Sequence, residues 1–129
     1  MVGVSVKDAE EMLWAVQNGD VDSLENSLNK LPDVNSHLKD NGRTLLHYAA
    51  DYGQTDICKL LVFKGAAVNS CDNYGVTPLL AAIYEGHIGC AQFLLENGAK
   101  LGSAPDGSSY IEIAQSDELK RVLHQYAAV

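Results

Sequence analysis

Two stretches superpose without a gap: Gly42-Arg43-Thr44-Leu45-Leu46-His47-Tyr48-Ala49-Ala50-Asp51-Tyr52-Gly53 and Gly75-Val76-Thr77-Pro78-Leu79-Leu80-Ala81-Ala82-Ile83-Tyr84-Glu85-Gly86. The offset is 33 residues, and it persists through Leu60/Phe93, Leu61/Leu94 and Gly65/Gly98. Each copy spells a short helical hairpin. Thr44 and Thr77 stand where a hydroxyl can satisfy an orphan amide of a first helix. Pro78 takes the first helical position, where its missing N–H costs nothing. Gly53 and Gly86 follow as left-handed stops. A second helix then carries an apolar stripe, Ile57, Leu60 and Leu61 in one copy, Ile88, Phe93, Leu94 and Leu95 in the other. Gly65 and Gly98 end those helices, and a loop beginning at Val68-Asn69 leads onward.

Weaker copies flank this pair. Trp14-Ala15-Val16-Gln17-Asn18-Gly19 matches Tyr48 to Gly53 at an offset of 34, kept by Asp22/Asp56, Lys30/Lys64, Val34/Val68 and Asn35/Asn69. The extra residue falls in the loop between Asn35 and Gly42. Downstream, Asp106-Gly107-Ser108-Ser109-Tyr110-Ile111 repeats the loop-into-helix pattern at an offset of 32 and is followed by a shortened end, Leu119, Val122 and Leu123. A 33-residue period carrying a T-P-L-H-x-A pattern resembles the ankyrin repeat. The expectation is an all-α ankyrin-repeat solenoid, one domain over residues 1–129, with four stacked helix-turn-helix repeats and finger loops at about 8–38, 39–71, 72–103 and 104–125. The outer two act as caps, because a terminal repeat has one face without a neighbour.

Composition agrees with a packed domain: 47% hydrophobic and 20% charged residues. No stretch approaches the roughly 20 apolar residues of a membrane span. Residues 1–11 lack the basic and apolar segments of a secretory signal. Cys58, Cys71 and Cys90 form no CxxC pair, so a reducing compartment is expected, with Cys58 and Cys90 buried in helical patterns. The formal charge is −8; residues 1–57 carry ten acids and four bases, residues 58–129 seven acids and five bases. Phosphate backbones and anionic lipid repel such a chain, so neither nucleic acid nor membrane is an expected partner. A basic protein surface is the natural complement.

Groups for catalysis do not converge along the chain. The histidines are His37, His47, His87 and His124, and no HExxH, CxxC or phosphate-cradling loop is present. His47 is expected to bond backbone between repeats, and His87 to serve structure beside Gly86. Cys71 lies on a finger loop with nothing beside it to activate the thiol. No catalytic residue, cofactor or metal site is therefore assigned, and the expected role is binding by a monomer.

The positions that the repeat leaves free to vary are Asp40, Asn41, Arg43, Asp51, Tyr52, Asn73, Tyr74, Val76, Tyr84 and Glu85. Three tyrosines and three acids fall among them, and tyrosine is a favoured interface anchor. The acidic edge of the first repeat, Asp20, Asp22, Glu25 and Asp33, is a second candidate surface. Trp14 aligns with Tyr48; packing in the cap core is the expected role, and service as an interface anchor the alternative.

Three runs resemble the myotrophin family of small four-repeat ankyrin proteins: Met12-Leu13-Trp14-Ala15-Val16-Gln17-Asn18-Gly19-Asp20, Leu46 to Gln54, and Thr77 to His87. Asp106-Gly107 fits as well. The chain departs from that family in a longer N-terminal lead, the extra residue of the first finger, and the tail Gln125 to Val129. The resemblance implies binding to heterodimeric actin-capping protein, which keeps it from filament barbed ends and leaves them open for growth. It also implies a cytoplasmic site of action. The alternative implied is an ankyrin adaptor for another partner, such as a Rel-type transcription factor, with a nuclear role.

Overall fold

The computed structural model describes residues 4–127. Its helices form two layers. The inner layer holds α1 (Val6–Asn18), α3 (Leu45–Asp51), α5 (Pro78–Tyr84) and α7 (Tyr110–Ile113). The outer layer holds α2 (Val21–Ser27), α4 (Thr55–Phe63), α6 (Ile88–Glu96) and α8 (Asp117–Ala127), with a 3-10 turn at Leu28–Lys30 after α2. Inner helices pack on inner helices of the next repeat, outer on outer, and each pair packs on itself. Apart from an isolated antiparallel bridge between Ser103 and Ser109, no strand occurs among the described residues. The fold is an all-α solenoid.

Helix starts follow the capping pattern. The Thr77 hydroxyl accepts from Leu80 N–H at 3.2 Å, with Pro78 at the first helical position. At Thr44 a reciprocal box forms instead, the Thr44 N–H donating to His47 Nδ1 at 3.1 Å. Ser109 and Glu112 close a second box at the start of α7. After α3 the chain turns at Gly53, with φ +71°, and after α5 at Gly86, with φ +73°.

The core is continuous from repeat to repeat. Leu46, Ile57, Leu61, Leu79, Ile83 and Leu94 are all at most 1% exposed. Each contributes about 2 kcal/mol by leaving water. In the outer layer Leu60, Ile88 and Phe93 are only half-buried, although each outer helix packs on its inner partner and on the outer helices beside it.

Polar clamps set the spacing between repeats. Asn35 Nδ2 donates to Gly65 O at 3.3 Å, and Asn35 Oδ1 accepts from Ala67 N–H at 2.7 Å. One repeat on, Asn69 Nδ2 donates to Gly98 O at 3.0 Å and its Oδ1 accepts from Lys100 N–H at 2.9 Å. One amide side chain thus closes both a donor and an acceptor at the end of the next repeat's outer helix. Asn69→Ala is expected to lower unfolding free energy by about 1–2 kcal/mol, since it removes two such bonds at an exposed site. Urea denaturation followed by circular dichroism measures this.

Candidate protein-binding surface

The first finger and α3 meet around Arg43. Its Nε donates to Asp72 Oδ2 at 3.2 Å, and its Nη1 lies 4.0 Å from Asp51 Oδ2. The guanidinium also stands 5.6 Å from the centroid of the Tyr48 ring. Asn41 completes the cover: its Nδ2 donates to the Tyr48 hydroxyl at 3.0 Å, and its Oδ1 accepts from Arg43 N–H at 3.0 Å. Arg43 and Asn41 are therefore structural partners that tie this finger to α3 and to Asp72 of the next finger.

Asp72 organises the second finger. Its Oδ1 accepts from Tyr74 N–H at 2.8 Å and from Val76 N–H at 2.9 Å. Burial opposes ionisation of this carboxyl, but those two amides and the Arg43 guanidinium together hold it below the ordinary carboxylate range. Asp51 shifts the other way. Burial raises it, Arg43 partly offsets that, and the neighbouring Glu85 raises it further. The cation of this face is engaged internally, while Asp40 and Glu85 stand exposed.

The tyrosines divide by exposure. Tyr52 is 41% exposed, its hydroxyl accepting from Gln17 Nε2 at 2.8 Å across the first two repeats. Tyr84 is 47% and Tyr74 70% exposed. These are large apolar areas held on short, well-packed helices and on a finger braced by Asp72. Asn73 is exposed, but its Nδ2 donates to Asp40 O at 2.6 Å, and its N–H donates to Asn41 O at 2.9 Å, which ties finger to finger.

Two expectations need correction. Trp14 does not pack in the cap core: it is 56% exposed. Tyr48, its counterpart, is covered by Asn41 and Arg43 from the finger preceding α3, whereas no finger covers Trp14 among the described residues. Trp14 instead lines a groove of about 700 Å3 along α1 and α2 with Lys7, Glu10, Glu11 and Asn26. Val76 is not free to vary on the surface either. Its side chain is 9% exposed, and its carbonyl accepts from His47 Nε2 at 2.8 Å.

Sequence inspection misses Asp72, although a signal exists. An Asx residue opens each of three fingers and accepts the amide two residues on, as Asn41, Asp72 and Asp106 all do. It also misses Phe63, which is 84% exposed at the end of α4 beside Lys64. No group of acidic, histidine or cysteine side chains suited to a metal ion occurs among the described residues, and no helix there is long and apolar enough to cross a membrane.

The family model for ankyrin repeats (3 copies) matches residues 12–104. The chain belongs to the ankyrin-repeat family. That family is a protein-interaction module. Myotrophin of Xenopus tropicalis is 44% identical over 57 residues, which cover 44% of this chain and 48% of that protein. Serine/threonine-protein kinase 12 of Arabidopsis thaliana is 30% identical over 103 residues, 80% of this chain but 22% of that protein. The Neurogenic locus Notch protein of Drosophila melanogaster is 40% identical over 67 residues, 52% of this chain and 2% of that protein. The chain thus spans about half the length of the first of these relatives and far less of the others.

Proposed function

We propose that this ankyrin chain, a single domain of four repeats, binds heterodimeric actin-capping protein in the cytoplasm and keeps it from filament barbed ends. It acts by occupying a surface, without catalysis. The observation that carries this reading is the 44% identity to myotrophin, set in a chain of the same repeat type. The face agrees in chemistry. Tyr52, Tyr74 and Tyr84 supply apolar anchors, and Asp40, Asp51 and Glu85 give an acidic field to complement a basic partner.

The test is titration of purified capping protein with this chain, beside a barbed-end elongation assay. Binding is expected to weaken as salt rises, because exposed charges are screened beyond about 10 Å at 0.1 M. Elongation should recover in step with binding. Asp51 is a poor choice for charge reversal, since a lysine there would face Arg43. Asp40→Lys with Glu85→Lys leaves the Arg43 cluster intact. This double variant should bind about tenfold more weakly, mainly through slower association, with an unchanged melting temperature. Absence of binding at low salt would overturn the assignment, and affinity capture of a transcription factor in place of capping protein would favour the adaptor role.

A further inference from the structure

The groove between α1 and α2 shares no residue with the tyrosine-bearing face. Glu10, Glu11 and the exposed Trp14 line it from α1, with Lys7 beside them; Ser23, Asn26 and Ser27 line it from α2. Glu10 and Trp14 are four residues apart, so they are neighbours on one helix face. The repeat shows what this face does not offer. At the offset of 34, Glu11, Ser23 and Ser27 align with Leu45, Ile57 and Leu61, each 0% exposed where the second repeat packs on the first. The first repeat has a carboxylate and two hydroxyls in those places. A further repeat, or the end of a second copy, finds little apolar surface there besides Trp14.

Charge selects a different occupant. Residues 6–27 carry Asp8, Glu10, Glu11, Asp20, Asp22 and Glu25 against Lys7 alone. Lys30, from the turn after α2, lies 3.3 Å from Glu11 and 3.6 Å from Asp8. Glu10 is exposed and forms no ion pair among the described residues. The second repeat shows which cation fits. Over Tyr48, the counterpart of Trp14, stands the Arg43 guanidinium, which also pairs with Asp72 and Asp51. Ring, guanidinium and carboxylate form one unit there. In the first repeat the ring and the carboxylate are in place, and among the described residues no guanidinium stands over Trp14.

We propose that the groove between α1 and α2 takes an arginine-bearing basic segment of a protein partner, with one guanidinium laid over the Trp14 ring and paired with the Glu10 carboxylate. Arginine suits the place better than lysine, because its planar head stacks on an aromatic face while its edge bonds a carboxylate. Tryptophan is also the best aromatic partner for a cation. Ser23, Asn26 and Ser27 offer hydroxyls and an amide to the backbone of the segment. The site is separate from the tyrosine-bearing face and does not depend on which partner that face takes.

Trp14 is the one tryptophan of the chain, so its fluorescence reports on the groove directly. The full chain is titrated with a short peptide of alternating arginine and alanine, and with one of alternating glutamate and alanine for comparison. Capping protein is absent from every arm, so the outcome is independent of the capping-protein titration. The arginine peptide is expected to change the emission saturably, less so as salt rises, and the glutamate peptide to leave it unchanged. Glu10→Lys should weaken binding of the arginine peptide about tenfold. Trp14→Ala, read by calorimetry with circular dichroism to check the fold, should weaken it about fivefold. Should Trp14→Ala not fold, Glu10→Lys read through Trp14 emission decides. Asp40→Lys with Glu85→Lys should still give the emission change; its loss there would place the peptide on the tyrosine-bearing face and overturn the proposal. No emission change with the arginine peptide at low salt, or an equal response to the glutamate peptide, would overturn it as well. So would an emission change on concentrating the chain alone, which would make a second copy the occupant.

Discussion

Gly53→Val is expected to lower unfolding free energy by roughly 3–5 kcal/mol, among the largest effects of a single exchange in this chain. Two causes act together. Gly53 has φ +71°, a conformation that costs other residues about 1–2 kcal/mol and suits a β-branched one least. The new Cβ would also stand 2.6 Å from His87 Nδ1. That ring cannot simply move aside, because its Nε2 is bonded to Asp51 O at 3.1 Å. Gly86 separates the two causes. It shares the backbone conformation at φ +73°, but nothing lies within 4 Å of a Cβ built there. Gly86→Ala should therefore cost only the conformational part, about 1–2 kcal/mol. Urea melts of the two variants measure the difference. Equal destabilisation would show that packing of His87 on the turn contributes nothing.

His47→Ala should cost about 3 kcal/mol, by leaving polar groups unpaired as well as opening space. The ring is 0% exposed and joins two repeats. Because Thr44 N–H donates to Nδ1, the proton resides on Nε2, which donates to Val76 O. The neutral ring is thus the form the site holds. Burial is the main cause that lowers its pKa below the ordinary 6.5, Arg43 adding to it and the Val76 carbonyl and Asp72 opposing. The sign follows by linkage: as pH falls below 6.5 the unfolded chain takes up a proton that the folded one refuses. Stability is full above that pH and declines as pH drops toward the folded value. His47→Ala should flatten this decline between about pH 7 and 5. A variant with an unaltered pH profile would remove His47 as its source.

Periodicity made the stack legible because each repeat solves the same packing problem with the same residue types. Thr44 and Thr77, the turn glycines and the stripes Ile57-Leu61 and Leu94-Leu95 declare helix starts, stops and buried faces directly. The surface was harder to read, because alignment equates positions whose surroundings differ. Trp14 and Tyr48 share a column, yet among the described residues only Tyr48 has a finger over it. Arg43 and Val76 share another, yet one reaches across to Asp72 and Asp51 while the other packs inward. No pattern in the chain marks Phe63 as exposed, since its neighbours Leu61 and Val62 continue an apolar run whose inward face is set only by the next repeat.

The polar links between repeats, from His47–Val76 to Gln54–Gln17, bridge residues 29 to 37 apart. Each joins one repeat to the one beside it. Load applied at one end must therefore pass through every junction in turn, as through the plates of a leaf spring. A small rotation at each junction adds up along the row, so the curvature of the whole stack is set junction by junction while every hairpin keeps its own shape.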